Sequence, residues 1–184
     1  MTRQEALKIL DEWVKNPNLK KHMLAVANAM AYYAKKFNED VEKWYVTGLL
    51  HDLDYEKYPH PQEGGHPYKA IEFLKDKLDE ESLKAILAHA SYTGAPRESL
   101  MAKTLFAVDE LVGFIVAVAL IKPDKSLNSV DVESVKKRFK EKRFAAGVNR
   151  EEIFQGAAEL GIGLEEHIQN VINSMKEISN QLGI

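Results

Sequence analysis

Apolar residues recur at three- and four-residue spacing along most of the chain, and no stretch alternates for long enough to make a strand. Thr2 with Glu5 reads as a capping box, followed by Ala6, Leu7, Leu10, Trp13 and Val14 on one face. Pro17 is expected to end this helix. A second helix is predicted over about 19–37, with Met23, Val26, Ala27, Met30 and Tyr33 inward, and a third over about 41–53 through Trp44, Val46, Leu49 and Leu50. Residues 54–68 hold three prolines and two glycines and read as a loop, of a length that inside a compact domain often serves function. A helix restarts near Pro67, another runs from the Asp79 cap to about Ser91, and a long apolar helix spans about 97–121, stopped by Pro123. Weaker helical segments near 130–139 and 149–160 precede a final amphipathic helix over about 164–182. There is no internal repeat. The pattern predicts an all-α bundle, one domain over 1–184, with a C-terminal helical extension from 123 to 184.

Composition removes several classes of function. The chain has 184 residues with Lys+Arg 25 against Asp+Glu 28, a net charge of −3, and 45% hydrophobic residues, which suits a folded globular protein with a sizeable core. It has no Cys, so disulfides, thiolate metal sites and cysteine nucleophiles drop out, and a reducing cytoplasm is the expected location. The stretch Met1-Thr2-Arg3-Gln4-Glu5 lacks a signal-peptide core, and the longest uncharged apolar run, Leu111 to Ile121, is far short of the ~20 residues a membrane span needs. Near-neutral charge offers no global field for nucleic acid, and none is expected as a partner. No phosphate-binding P-loop is present, and Gly161-Ile162-Gly163 reads as a helix break. Asp52, Asp54, Glu56 and Glu63 mimic a calcium loop, but Lys57 and Pro59 stand where its sharp turn needs other residues.

The chemistry-bearing residues are six His and a few placed acids. His51-Asp52 closes an apolar helical segment after Gly48-Leu49-Leu50. His22 shares a face with Val26, Ala29, Met30 and Tyr33, where it is either a ligand or a buried neutral His bonded to a carbonyl. Asp109 falls among Leu105, Phe106, Val108, Leu111 and Val112; a carboxylate on such a face is paired, protonated or metal-bound, unless it turns to solvent with Glu110. Three helices of a bundle can bring His22, His51, Asp52 and Asp109 to one divalent ion. Imidazole and carboxylate donors suit Fe, Mn, Zn, Ni or Co, with Mg as a harder alternative, and the donor set looks open and catalytic.

The order His22…His51-Asp52…Asp109 resembles the signature of the HD-domain superfamily of metal-dependent phosphohydrolases. The resemblance rests also on Lys21-His22-Met23 and Val108-Asp109-Glu110-Leu111, and covers about 19–121. It implies an α-helical fold, a bound divalent metal and hydrolysis of phosphate esters, as a phosphomonoesterase or phosphodiesterase acting on a small phosphorylated molecule, plausibly a nucleotide. By the same resemblance His66 and His89 are expected to bind a second ion with Asp52 as the bridge; one ion, or an N-cap His and a core His, are the alternatives. Asp52 and Asp54 are expected to serve catalysis. Asp54 and Glu56 can each be a partner behind the ligands, a general acid or base, or a solvated loop acid. Leu53-Asp54-Tyr55 departs from the Gly-Lys of the cyclic-dinucleotide subgroup. The basic run Lys136, Lys137, Arg138, Lys140, Lys142 and Arg143 is a solvated face, or it brings Lys140 or Arg143 to a substrate phosphate. His60 and His167 lie outside the pattern and are expected at the surface. A regulatory module that binds metal or nucleotide without turnover, and a di-iron oxygenase, are the competing functions.

Overall fold

A computed structural model describes all 184 residues as ten α-helices and three short 3-10 turns, with no strand. The helices are α1 (Arg3–Trp13), α2 (Pro17–Phe37), α3 (Val41–Leu50), α4 (Tyr68–Leu74), α5 (Glu80–His89), α6 (Leu100–Leu120), α7 (Val132–Phe139), α8 (Arg150–Leu160), α9 (Leu164–Glu177) and α10 (Ser179–Leu182). No helix is long and apolar enough to cross a membrane.

Capping chemistry sets most of the boundaries. Thr2 and Glu5 form the reciprocal capping box of α1. Pro17, expected to close that helix, instead opens α2, while the Asn16 side chain accepts the N–H groups of Asn18 and Leu19. A proline lacks the N–H that a first helical turn would leave unpaired, so the position suits it. α2 stops at Asn38, which sits left-handed at φ 59°. Asp40, Asp79 and Ser99 cap α3, α5 and α6. The third helix ends at Leu50, three residues short of its expected limit, because the chain turns from His51 to Lys57. The long apolar helix begins at Leu100 rather than Arg97.

α2 and α6 form the centre. One core cluster joins Val26, Met30 and Tyr33 of α2 to Leu105, Val108 and Phe114 of α6, and continues into Ile153, Ile168, Val171 and Met175 of the C-terminal helices. A second gathers Leu10, Met23, Val46, Leu49 and Leu53 under α1 and α3. Burying each such large side chain contributes roughly 1.5–3 kcal/mol. Two glycines set helix spacing. A Cβ on Gly48 would stand 2.8 Å from Met30 Cγ and 3.0 Å from Ala27 Cα, so α3 can lie close on α2 only with glycine there. A Cβ on Gly156 would meet Ala107 Cα at 2.5 Å, which does the same for α8 on α6.

His167, expected at the surface, is fully buried. It lies on the apolar stripe of α9 with Ile168, Val171 and Met175. Its Nε2–H donates to Ala107 O (2.8 Å), leaving Nδ1 to accept from the Tyr33 hydroxyl (2.6 Å). Burial pushes its pKa down to about 4, so the ring is neutral. His60 is exposed, as expected.

Candidate metal centre

Five elements deliver side chains to one cleft of about 420 Å³. His22 comes from α2, His51 and Asp52 from the end of α3, and His66 from the turn before α4. His89 is the last residue of α5, and Asp109 stands midway along α6.

Local backbone chemistry orients the imidazoles. His51 Nδ1–H donates to Gly48 O (2.8 Å), and His89 Nδ1–H donates to Ile86 O (2.5 Å). Each is a ring folded back onto the carbonyl three residues earlier at a helix end. His66 Nδ1–H donates instead to Asp54 Oδ1 (2.8 Å). With Nδ1 committed in all three, every ring turns Nε2 into the cleft.

Asp52 receives them on both of its oxygens. Its Oδ2 lies 3.4 Å from His51 Nε2 and 3.7 Å from His22 Nε2; its Oδ1 lies 3.4 Å from His66 Nε2 and 3.5 Å from His89 Nε2. Asp109 Oδ1 is 2.9 Å from His22 Nε2 and 3.4 Å from His51 Nε2. Two donor sets, His22–His51–Asp109 and His51–Asp52–His89, each fall within 4.8 Å and could hold an ion.

The electrostatics are those of a buried cluster of unlike groups. Burial alone would push His51 down, but the Asp52 and Asp109 carboxylates outweigh it and hold the imidazole well above its ordinary value. Burial likewise opposes ionisation of Asp52 and Asp109, and the neighbouring imidazoles overcome it, so both stay well below the usual carboxylate range. Burial, with the Asp109 charge beside it, pushes Glu110 up to about 7.

The outer wall of the cleft was not legible in the sequence. It adds Glu110, Asn149 and Glu152 from α6 and the start of α8, and Tyr55 and Tyr92 with their rings largely exposed. No Lys or Arg lines it. Glu110 carried a signal only as the neighbour of Asp109, and Glu152 carried none.

Asp54 is not placed for general acid–base chemistry. It is 0% exposed, away from the cleft, and its Oδ2 accepts the Ala70 N–H (2.8 Å) while Oδ1 holds His66. It positions a candidate ligand and the first turn of α4. Glu56 accepts the N–H groups of Lys15 (2.7 Å) and Asn16 (3.0 Å), tying the α1–α2 link to the loop. Neither Lys140 nor Arg143 reaches the cleft. Phe139 and Phe144 pack on Phe114, with centroids at 4.6 and 5.5 Å, which turns the charged side chains outward. Lys140 lines a separate groove with Phe139 and Phe154, and Arg143 is exposed.

The family model of the HD domain matches residues 19–112, just over half of the chain. The chain belongs to the HD-domain family. All six residues of the His/Asp cluster lie inside the matched segment of this HD domain, while α7 to α10 lie beyond it. HD domains are generally metal-dependent phosphohydrolases. No curated protein and no solved structure matches the chain.

Proposed function

We propose that this HD domain is a metal-dependent phosphohydrolase acting on a small phosphate ester such as a nucleoside phosphate. One atom carries the reading. His51 Nε2 is fully buried and has no hydrogen-bond partner, although carboxylate oxygens flank it at 3.4 Å. A buried polar atom is rarely left unpaired, and an imidazole nitrogen set between two carboxylates is a donor arrangement that suits a divalent cation. The residues therefore fit the group that the family implies. His22, His51, Asp52 and Asp109 would hold one ion. His66 and His89, with Asp52, would hold a second. The nitrogen and oxygen donors suit Fe, Mn, Zn, Ni or Co.

Divalent ions held by these residues would supply an acidified water and positive charge for the phosphoryl group. The chain does the rest. Gly48 O, Ile86 O and Asp54 fix three imidazoles in one tautomer, so no reorganisation is needed at the moment of reaction. Asp52 turns one oxygen toward His22 and His51 and the other toward His66 and His89. The Tyr92 hydroxyl donates to His66 O (3.1 Å), fixing a flat ring at the rim beside Tyr55. Those two faces support a ring-bearing organic half. Water oxygen bonds to phosphorus, the ester P–O bond breaks, and the proton lost by the water ends on the departing alkoxide. The products are an alcohol and phosphate.

The test is elemental analysis of protein purified without chelator, followed by phosphate release from p-nitrophenyl phosphate with each divalent metal. Near-stoichiometric metal and metal-dependent release are expected, with His51→Ala and Asp52→Ala losing both. Unchanged metal content in the two variants would overturn the ligand assignment. Oxygen uptake on iron loading without phosphate release would favour the oxygenase.

A further inference from the structure

We infer that Glu110 and Glu152 make the cleft selective for esters carrying one phosphate, whose organic half presents hydrogen-bond donors. This rests on the phosphohydrolase reading above and names its substrate class. Asp52, Asp109, Glu110 and Glu152 are the carboxyl groups of the cleft wall, and no Lys or Arg accompanies them. Phosphate sites normally recruit such cations. Here the positive charge has to come from ions in the His/Asp cluster, which serve the phosphate beside them and no further one. A second phosphate reaching along the wall would meet Glu110 and Glu152 and nothing to neutralise it.

The basic run at 136–143 and Arg97 do not supply that charge. Lys136, Lys137 and Lys140 line another groove, and Arg138 pairs with Glu141 at 2.5 Å. Arg97, close enough to feel the charge of Glu152, is committed to a bidentate pair with Glu159 (2.8 Å for each bond).

The carboxylates are also held as acceptors. Glu110 Oε2 takes the Asn149 N–H (3.1 Å), which fixes the side chain and leaves Oε1 free. Asn149 is the N-cap of α8, so the same residue that starts the helix places Glu152 one turn on, half-buried in the same wall. The Asn149 side-chain oxygen accepts the Glu151 N–H (3.2 Å). The free Glu110 and Glu152 oxygens can accept from a substrate. Hydroxyl groups and an ammonium group share that donor chemistry. The cleft of about 420 Å³ suits a molecule of nucleoside monophosphate size.

The test measures both kcat/KM and calorimetric binding on metal-loaded protein. The probes are ethyl phosphate, 2-aminoethyl phosphate, glycerol phosphate and adenosine mono-, di- and triphosphate. Donor-bearing monophosphates should exceed ethyl phosphate by about tenfold or more, the discrimination a hydrogen bond to a charged group supplies. The di- and triphosphate should trail the monophosphate. Glu152→Gln should abolish a preference that rests on an ammonium and only reduce one that rests on hydroxyls; Glu152→Lys should bring the triphosphate level with the monophosphate. Equal use of mono- and triphosphate by the wild type, or ratios unmoved by both variants, would overturn the inference while leaving hydrolysis standing. Discrimination in binding with no phosphate released from any probe would overturn the hydrolysis and keep the selectivity. An absence of both binding and release would overturn both.

Discussion

At the scale of single residues, the centre depends on side chains that never touch the cleft. Asp54 is the clearest. It is sealed from solvent, and its two oxygens fix His66 and the start of α4. Asp54→Asn removes the charge behind the His66 N–H. Metal affinity should fall by about 10–100-fold, read by titrating a chelator against the loaded protein; an unchanged affinity would remove Asp54 from this role. His167 gives a pH signature. Its neutral ring, held down at about 4 by burial, takes up a proton less readily than in the unfolded chain, whose ordinary value is 6.5. Its stabilising contribution is therefore complete above pH 6.5 and is lost as the pH falls toward 4, by about 1.4 kcal/mol per unit, or about 3 kcal/mol in all. Denaturant melts of wild type and His167→Gln across pH 4 to 7 should differ in slope by that amount. Parallel curves would contradict it. The six side chains that meet in the cleft stood out in the sequence, His22, His51, Asp52 and Asp109 by residue type and apolar framing, His66 and His89 through the family resemblance. The Asp54–His66 pair did not, since loop closure sets it, and neither did His167, whose partner Tyr33 is 134 positions away.

Among elements, the contact that matters most to the centre is α3 on α2. Gly48 is the point of closest approach, and His51 and Asp52 follow it by three and four residues. A methyl group there can displace Met30, but it cannot displace the Ala27 backbone. Gly48→Ala should cost about 1–3 kcal/mol and weaken metal binding together, because α3 must lift and carry its two donors away from His22. Gly147→Ala, with nothing within 4 Å of the added carbon, is the control and should change neither. Thermal melts and metal titration of the two variants decide it; a Gly48→Ala protein with native affinity would detach the helix spacing from the site. Helix starts were readable where a capping side chain stood out, as at Thr2 and Asp79. Pro17 misled because proline both ends and begins helices, and only the Asn16 cap tells which.

Across the whole molecule, the C-terminal helices share the core that holds the centre. Ile153, Ile168 and Val171 pack in one cluster with Val26 of α2 and Val108 of α6. They also bring Asn149 and Glu152 to the cleft. That wall was invisible in the sequence because it depends on how α8 crosses α6 at Gly156 and Ala107. The basic run at 136–143 pointed the other way: a cluster of lysines suggests a phosphate, but its aromatic neighbours anchor it with the charges facing out.

The central claim is that the buried His/Asp cluster is a metal site and not a self-contained ion-pair network. Melting curves of wild type and Asp109→Asn, each with and without metal, test it most directly. If Asp109 is a ligand, a hundredfold excess of metal over the dissociation constant stabilises the wild type by roughly 2.7 kcal/mol, or about 5–10 °C. Asp109→Asn should lose that response, and so fall further below the wild type with metal than without it. An equal drop with and without metal, of the size expected when a buried ion pair loses one partner, about 3–5 kcal/mol, would contradict the account.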